Sequence, residues 1–156
     1  AVANSFTMRC RVALAAMPQE RAARAADYIH AAAEHAAAWS PEETFRAFNR
    51  VHAMQAATVA ATQPYDFVLA PVLPVLPFAA EATSSDRRFP MCDSHFTAPF
   101  NHSGQPAASI GCGHSAAGLP IGLQIIGRRF DDLGVLQMSH FYEQARGPQA
   151  AWPDPR

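Results

Sequence analysis

The residues best equipped for chemistry cluster in one glycine-rich stretch, where His102, Cys112 and His114 sit between two apolar runs. On a strand, the spacing of Cys112 and His114 puts both side chains on one face, which suits a thiolate activated by an imidazole. The same pair offers two metal ligands. A zinc site takes four ligands from paired spacings, and no second pair matches, so no metal is assigned. His30, His35, His52 and His140 fall on expected helices and read as surface or packed side chains. The only Ser-Ser pair, Ser84-Ser85, lies in ATSSDRR with no glycine close by and reads as surface loop. All 12 basic residues are arginine, so no lysine is present to serve as a base. Gln124, in the run IGLQII, is a polar amide among apolar neighbours and must find partners or cost about 1–3 kcal/mol.

These residues are held by two short runs, AASIG and PIGLQIIG, bounded by glycine and proline and too short for buried helices. They predict two buried strands on one polar turn, in the middle of a sheet. All 8 glycines fall from Gly104 to Gly147, so close backbone packing is concentrated here. Asn101, Ser103 and Gln105 read as short polar side chains bonding within a turn that Gly104 and Pro106 close.

Upstream, the alanine-rich residues 18–39 predict one helix. Ser40 as N-cap, Pro41 in the first turn and Glu43 three residues on form a capping box that starts a second helix. Phe45, Phe48, His52, Gln55 and Val59 recur along it at helical spacing, and Pro64 ends it. DFVLA, residues 66–70, predicts a strand, and Pro71, Pro74 and Pro77 then force the chain out as a stiff extended loop. Residues 81–93 read as a polar surface loop. Asp131 or Asp132 is expected to cap a last helix with an apolar stripe of Leu133, Leu136, His140 and Phe141, ending at Arg146.

Composition narrows the class further. The length suits about one domain, and the 49% hydrophobic content is inflated by alanine, which buries little area. A formal charge of −1 gives no basic field for nucleic acid or an anionic membrane. No run reaches the roughly 18 apolar residues of a membrane span, and no leader is evident. Three cysteines without CxxC spacing argue against a disulfide framework and place the chain in a reducing cytoplasm.

The ordered series YDFVLAPVLPVLPF, PFNHSGQPAASIGCG, GLPIGLQIIGRRFDD and VLQMSHFYEQA resembles the C-terminal portion of the amidase signature family, the Ser-Ser-Lys amide hydrolases. The closing GPQAAWPDPR is similar to that family's Trp/Pro tail. The resemblance implies an α/β fold with a mixed sheet flanked by helices, residues 1–17 continuing an upstream domain and residues 18–156 forming the C-terminal part. It implies a small-molecule amide substrate and no cofactor. The N-terminal part of the same enzyme is the implied partner, and open sheet edges suggest a homodimer as well. Pro71, Pro74, Phe78, Phe96 and Phe100 are the implied substrate-wall residues, with Asn101, Gly104, Pro106 and Gln124 as their support.

The family's nucleophilic Ser segment and catalytic Lys have no counterpart here, so no catalytic residue is assigned and the chain alone is expected to be inactive. Two alternatives stay open. One is the A-type subunit of a glutamine-dependent amidotransferase; where those subunits carry an acid for the substrate ammonium, the resemblance places Ser94, with Asp93 one residue earlier. The other is a non-catalytic remnant or metal-binding module. In the family the Cys112 neighbourhood is structural, and Ile110-Gly111 stands where Val-Pro is usual.

Overall fold

The computed structural model describes residues 2–82, 84–85 and 92–148. The chain divides within its longest helix into two compact units, Ala1–Thr58 and Val59–Arg156.

The first unit is helical. Helix α1 spans Val2–Ala16, α2 Gln19–Ala22, α3 Asp27–Ala37, and α4 runs Pro41–Thr62 across the unit boundary. Residues 1–17 carry little periodicity, yet α1 packs along α3. Cys10 and Ala36 are buried, and the Arg11 guanidinium donates to the Ala36 carbonyl at 2.8 Å. Phe6 and Tyr28 stack with ring centroids 6.4 Å apart. The single helix expected over residues 18–39 is interrupted between Ala22 and Asp27. Alanine favours helix but marks no boundary, and Ala26 takes an extended N-cap conformation with Asp27 as the acid in the next first turn.

The capping box forms as expected. Ser40 Oγ accepts from the Glu43 amide at 3.1 Å, and Glu43 Oε2 accepts from the Ser40 amide at 2.8 Å. Pro41 has no N–H, so two of the three donors left without a helical partner at the start of α4 are thereby satisfied. Phe48 and His52 meet edge to face at 4.5 Å, while Phe45 and Phe48 stay exposed. Helix α4 stops at Thr62, two residues before Pro64.

The second unit is built on a three-stranded sheet of β1 (Val68–Pro71), β2 (Ala107–His114) and β3 (Pro120–Ile126), ordered β1-β3-β2. Both pairings are antiparallel, with Ala70 and Ser109 flanking Gln124 on either side. This is the expected α/β class; parallel pairs of a mixed sheet are absent among the described residues. The central strand is β3, and Ile125 and Ile126 are its fully buried side chains. Pro71 closes an edge strand, where its missing N–H costs no ladder bond, and the Val72 amide resumes pairing with the Gly122 carbonyl at 3.1 Å. A Cβ on Gly122 would stand 2.8 Å from Val72 Cγ2, so glycine is what lets the chain after β1 lie against β3.

Helix α6 (Asp132–Ala145) is capped by Asp131, whose Oδ1 accepts from the Gly134 amide at 3.0 Å. Its buried residues are Val135 and Ser139. The expected apolar stripe points the other way: Leu133, Leu136 and Phe141 are each about two-thirds exposed, and His140 is exposed too. The reason is close approach. A Cβ on Gly127 would lie 2.6 Å from Val135 Cγ2, so the small residues of the helix, not its leucines, fit against the sheet end.

Candidate functional site

Of the expected site residues, Phe96, Phe100, Asn101, Gly104 and Pro106 lie on the chain ahead of β2, which Gln124 ties to the centre of β3. Thr97 precedes a short helix, α5 (Ala98–Ser103), with Pro99 in its first turn. A turn was expected here. The helix ends at Gly104 in the left-handed conformation (φ 69°), with the Gly104 and Gln105 amides donating to the Phe100 carbonyl at 3.0 and 3.3 Å. Gly104 thus closes a helix, and Asn101 lies exposed on it with its amide bonded to Thr97 O.

Gln124 does what its position demands. It is buried, and its Nε2 donates to the Phe96 carbonyl at 2.9 Å. The bond ties the segment entering α5 to the middle of the sheet across 28 residues of sequence. Phe96 keeps 39% of its surface exposed, and Phe100 is half-buried.

A second tie was not legible beforehand. Ser103, fully buried, donates through Oγ to Gln105 Oε1 at 2.9 Å, and Gln105 Nε2 donates to Gly127 O at 3.0 Å. The same Nε2 lies 3.2 Å from Thr62 Oγ1. Gln105 therefore pins the end of α4, the end of α5 and the end of β3 to one amide. Pro106 joins the same corner, its carbonyl accepting from the Gly127 amide at 3.0 Å. Ser103 and Gln105 do bond locally, as short polar loop residues should. Their link to Thr62 and Gly127 has no sequence signal beyond polar residues at element ends.

Of the remaining wall residues, Pro71 pairs with Leu123 beside Gln124, while Pro74 and Phe78 stand exposed in the segment after β1. A groove of about 580 Å³ lies instead in the first unit, lined by Met8, Arg11, Val12, Trp39, Phe45 and Phe48 among others.

The other candidate chemistry does not assemble. The register slips between Gly111 and Gly113, making Cys112 the extra residue of a bulge, so simple alternation does not put it on one face with His114. Cys112 is exposed and its Sγ sits 3.5 Å from the Ile121 carbonyl. Among the described residues no group of three or more His, Cys, Asp or Glu side chains could hold a metal. Ser84 Oγ donates to Asp93 Oδ2 at 3.0 Å, and the Ser85 amide and hydroxyl also donate to that carboxylate. These serines hold a loop together through Asp93. Burial pushes the Cys10 thiol up from its ordinary value, and a bond to its own backbone amide, then Ser40, lowers Glu42; both lie in the first unit. Among the described residues no helix is long and apolar enough to cross a membrane. The tail after Pro148, with its Trp, and most of the loop at 83–91 lie outside the described residues.

Residues 3–136 match the Amidase family. The chain belongs to the amidase family. The fold agrees. A bacterial aryl acylamidase of the amidase signature enzymes superposes with a TM-score of 0.73 at 24% identity, covering 88% of this chain and 33% of that one. The A-type subunit of glutamyl-tRNA(Gln) amidotransferase from Thermotoga maritima superposes with a TM-score of 0.55 at 30% identity, covering 70% of this chain and 23% of that one. Among curated relatives, the corresponding A-type subunit of glutamyl-tRNA(Gln) amidotransferase from Synechococcus sp. (strain CC9605) is 42% identical over 95 residues, 61% of this chain. The match takes in 19% of that relative, so the chain spans about a fifth of the curated proteins it resembles.

Proposed function

We propose that this chain is the C-terminal portion of an amidase signature hydrolase, contributing scaffold and substrate wall to a site whose reacting groups lie on other residues. The observation that carries this is a pairing of facts: the family match runs through residues 3–136, and the sequence contains no lysine. In the proposed reaction a Ser Oγ attacks the amide carbonyl and forms an acyl ester as the C–N bond breaks. A second Ser and the Lys pass the nucleophile's proton to the departing amine, backbone N–H groups stabilise the oxyanion, and water then hydrolyses the ester. This chain's part is to hold Phe96 and Phe100, through Gln124, Gln105 and the Gly104 cap, against the acyl group. Pro71, Pro74 and Phe78 supply the opposite wall.

The identity to A-type amidotransferase subunits supports a second reading, in which the whole protein releases ammonia from glutamine with partner subunits. Against it, the position of the ammonium-binding acid falls on Ser94, and the neighbouring Asp93 carboxylate already accepts from Ser84 and Ser85. A substrate without an ammonium group fits that arrangement better. The test is to combine residues 1–156 with the Ser- and Lys-bearing part and to assay an aryl amide and glutamine in parallel. Release of aryl amine by the pair, with none from 1–156 alone, is expected. Turnover by 1–156 alone overturns the proposal, and glutamine hydrolysis without aryl amide turnover replaces it with the second reading.

A further inference from the structure

We infer that the first unit carries a binding site for a small hydroxylated phosphate monoester, in a polar groove of about 280 Å³ between the start of α1, the end of α3 and the first turns of α4. Arg46 and Arg50 line it one helical turn apart on α4, and the imidazole of His35 on α3 lines it from the other side. Ala47, the buried residue of α4 in the same lining, has only a methyl group to put into the space.

These cations are not spent on the protein itself. Arg50 makes no hydrogen bond or ion pair among the described residues. Arg46 donates through Nε to the Glu42 carbonyl at 3.4 Å, and the terminal nitrogens of its guanidinium take no partner among the described residues. Glu43 is the one acid in the lining, and its Oε2 already accepts from the Ser40 amide at 2.8 Å. Two guanidiniums thus face one carboxylate that is partly engaged. Like charges four residues apart repel and weaken a helix, and an anion between them turns that repulsion into attraction.

The donors select the anion, and the rest of the groove selects what it is attached to. Two guanidinium forks suit the three terminal oxygens of a phosphate better than the single edge of a carboxylate. The groove is larger than a bare phosphate needs and smaller than the roughly 300–1,000 Å³ of pockets for drug-sized ligands, which leaves room for a short organic body. Asn4 is half-buried, and its side-chain amide has no partner among the described residues. That amide and the remaining oxygen of Glu43 are fitted to bond hydroxyl groups. Trp39, half-buried and edge to face with His35 at 5.8 Å, gives the carbon skeleton an apolar wall.

The test is isothermal titration calorimetry of 1–156 at neutral pH and low salt, with glycerol 3-phosphate, inorganic phosphate and glycerate as probes. Saturable binding of glycerol 3-phosphate is expected, at least tenfold tighter than that of either other probe. The double variant Arg46→Gln/Arg50→Gln should weaken it at least tenfold while helical content by circular dichroism stays unchanged, since both side chains are exposed. Arg50→Lys keeps the charge but loses the fork, and should weaken binding at least threefold; it decides the matter alone if the double variant loses helix. Asn4→Ala should weaken glycerol 3-phosphate and leave inorganic phosphate unchanged. Glycerate or inorganic phosphate bound as tightly as glycerol 3-phosphate overturns the inference. So does undiminished binding by the folded arginine variants, or no saturable binding at millimolar probe.

Discussion

Replacing Gln124 with Leu separates the local role of this amide from its part in overall stability. The substitution removes the donor 2.9 Å from Phe96 O and leaves a side chain of similar volume in a buried position. Losing the bond and leaving the carbonyl unpaired costs about 1–3 kcal/mol. Phe96 is 39% exposed, so water reaches its surroundings and the cost falls toward the low end. Burying Leu in place of an amide returns about 1–2 kcal/mol. The two nearly cancel in global stability. They do not cancel locally, because the apolar gain belongs to the sheet and the lost bond belonged to the segment entering α5. Hydrogen exchange should therefore show the Thr97 to Asn101 amides losing about tenfold in protection, equivalent to about 1.4 kcal/mol, while the urea midpoint of the second unit moves little. Unchanged protection there, or protection falling equally in β3 and α5, would refute the assignment of Gln124 as the tie.

Other perturbations test other joints. Gly127→Ala places a methyl 2.6 Å from Val135 Cγ2 and should cost about 1–3 kcal/mol by denaturant titration; Val135→Ala in the same chain should recover part of it, and strictly additive losses would contradict the close approach. Ser40→Ala removes the acceptor of the Glu43 amide and should cost about 1 kcal/mol, read as early fraying of α4 by exchange. Maleimide at neutral pH should label exposed Cys112 well before buried Cys10, as mapped by peptide mass spectrometry. With its thiol raised by burial, Cys10 favours the folded first unit fully below its unfolded pKa. That contribution should disappear as pH rises through the folded value, so alkaline titration weakens the unit; a Cys10→Ala chain lacking this pH dependence is the control.

Sequence alone reached the hairpin, because glycine and proline bracket two runs too short for buried helices, but not its burial: β2 lies at the edge of the three-stranded sheet with no buried residue, and only β3 is central. It also reached the start of α4, because Ser40, Pro41 and Glu43 specify a cap through chemistry local to four residues. Helix α5 escaped because six residues hold no full period, and Pro99 and Gly104, which here open and close a helix, are equally the marks of a turn. The direction of α6 escaped for a different reason. Two faces of that helix are apolar enough to bury, and the choice is made by Gly127, which admits Val135 closely and no larger residue. Gln124 was legible as a buried amide in need of a partner. Gln105 was not, since its partners on α4 and β3 are set by tertiary approach alone.

The most direct measurement is the intact mass of purified 1–156 after exposure to a serine-directed fluorophosphonate. A scaffold that borrows its nucleophile should emerge with its mass unchanged, while the Ser- and Lys-bearing part, mixed with it, takes up one phosphonyl group. A stoichiometric adduct on 1–156 itself, at Ser84, Ser85 or any other serine, would contradict the claim that its chemistry resides elsewhere.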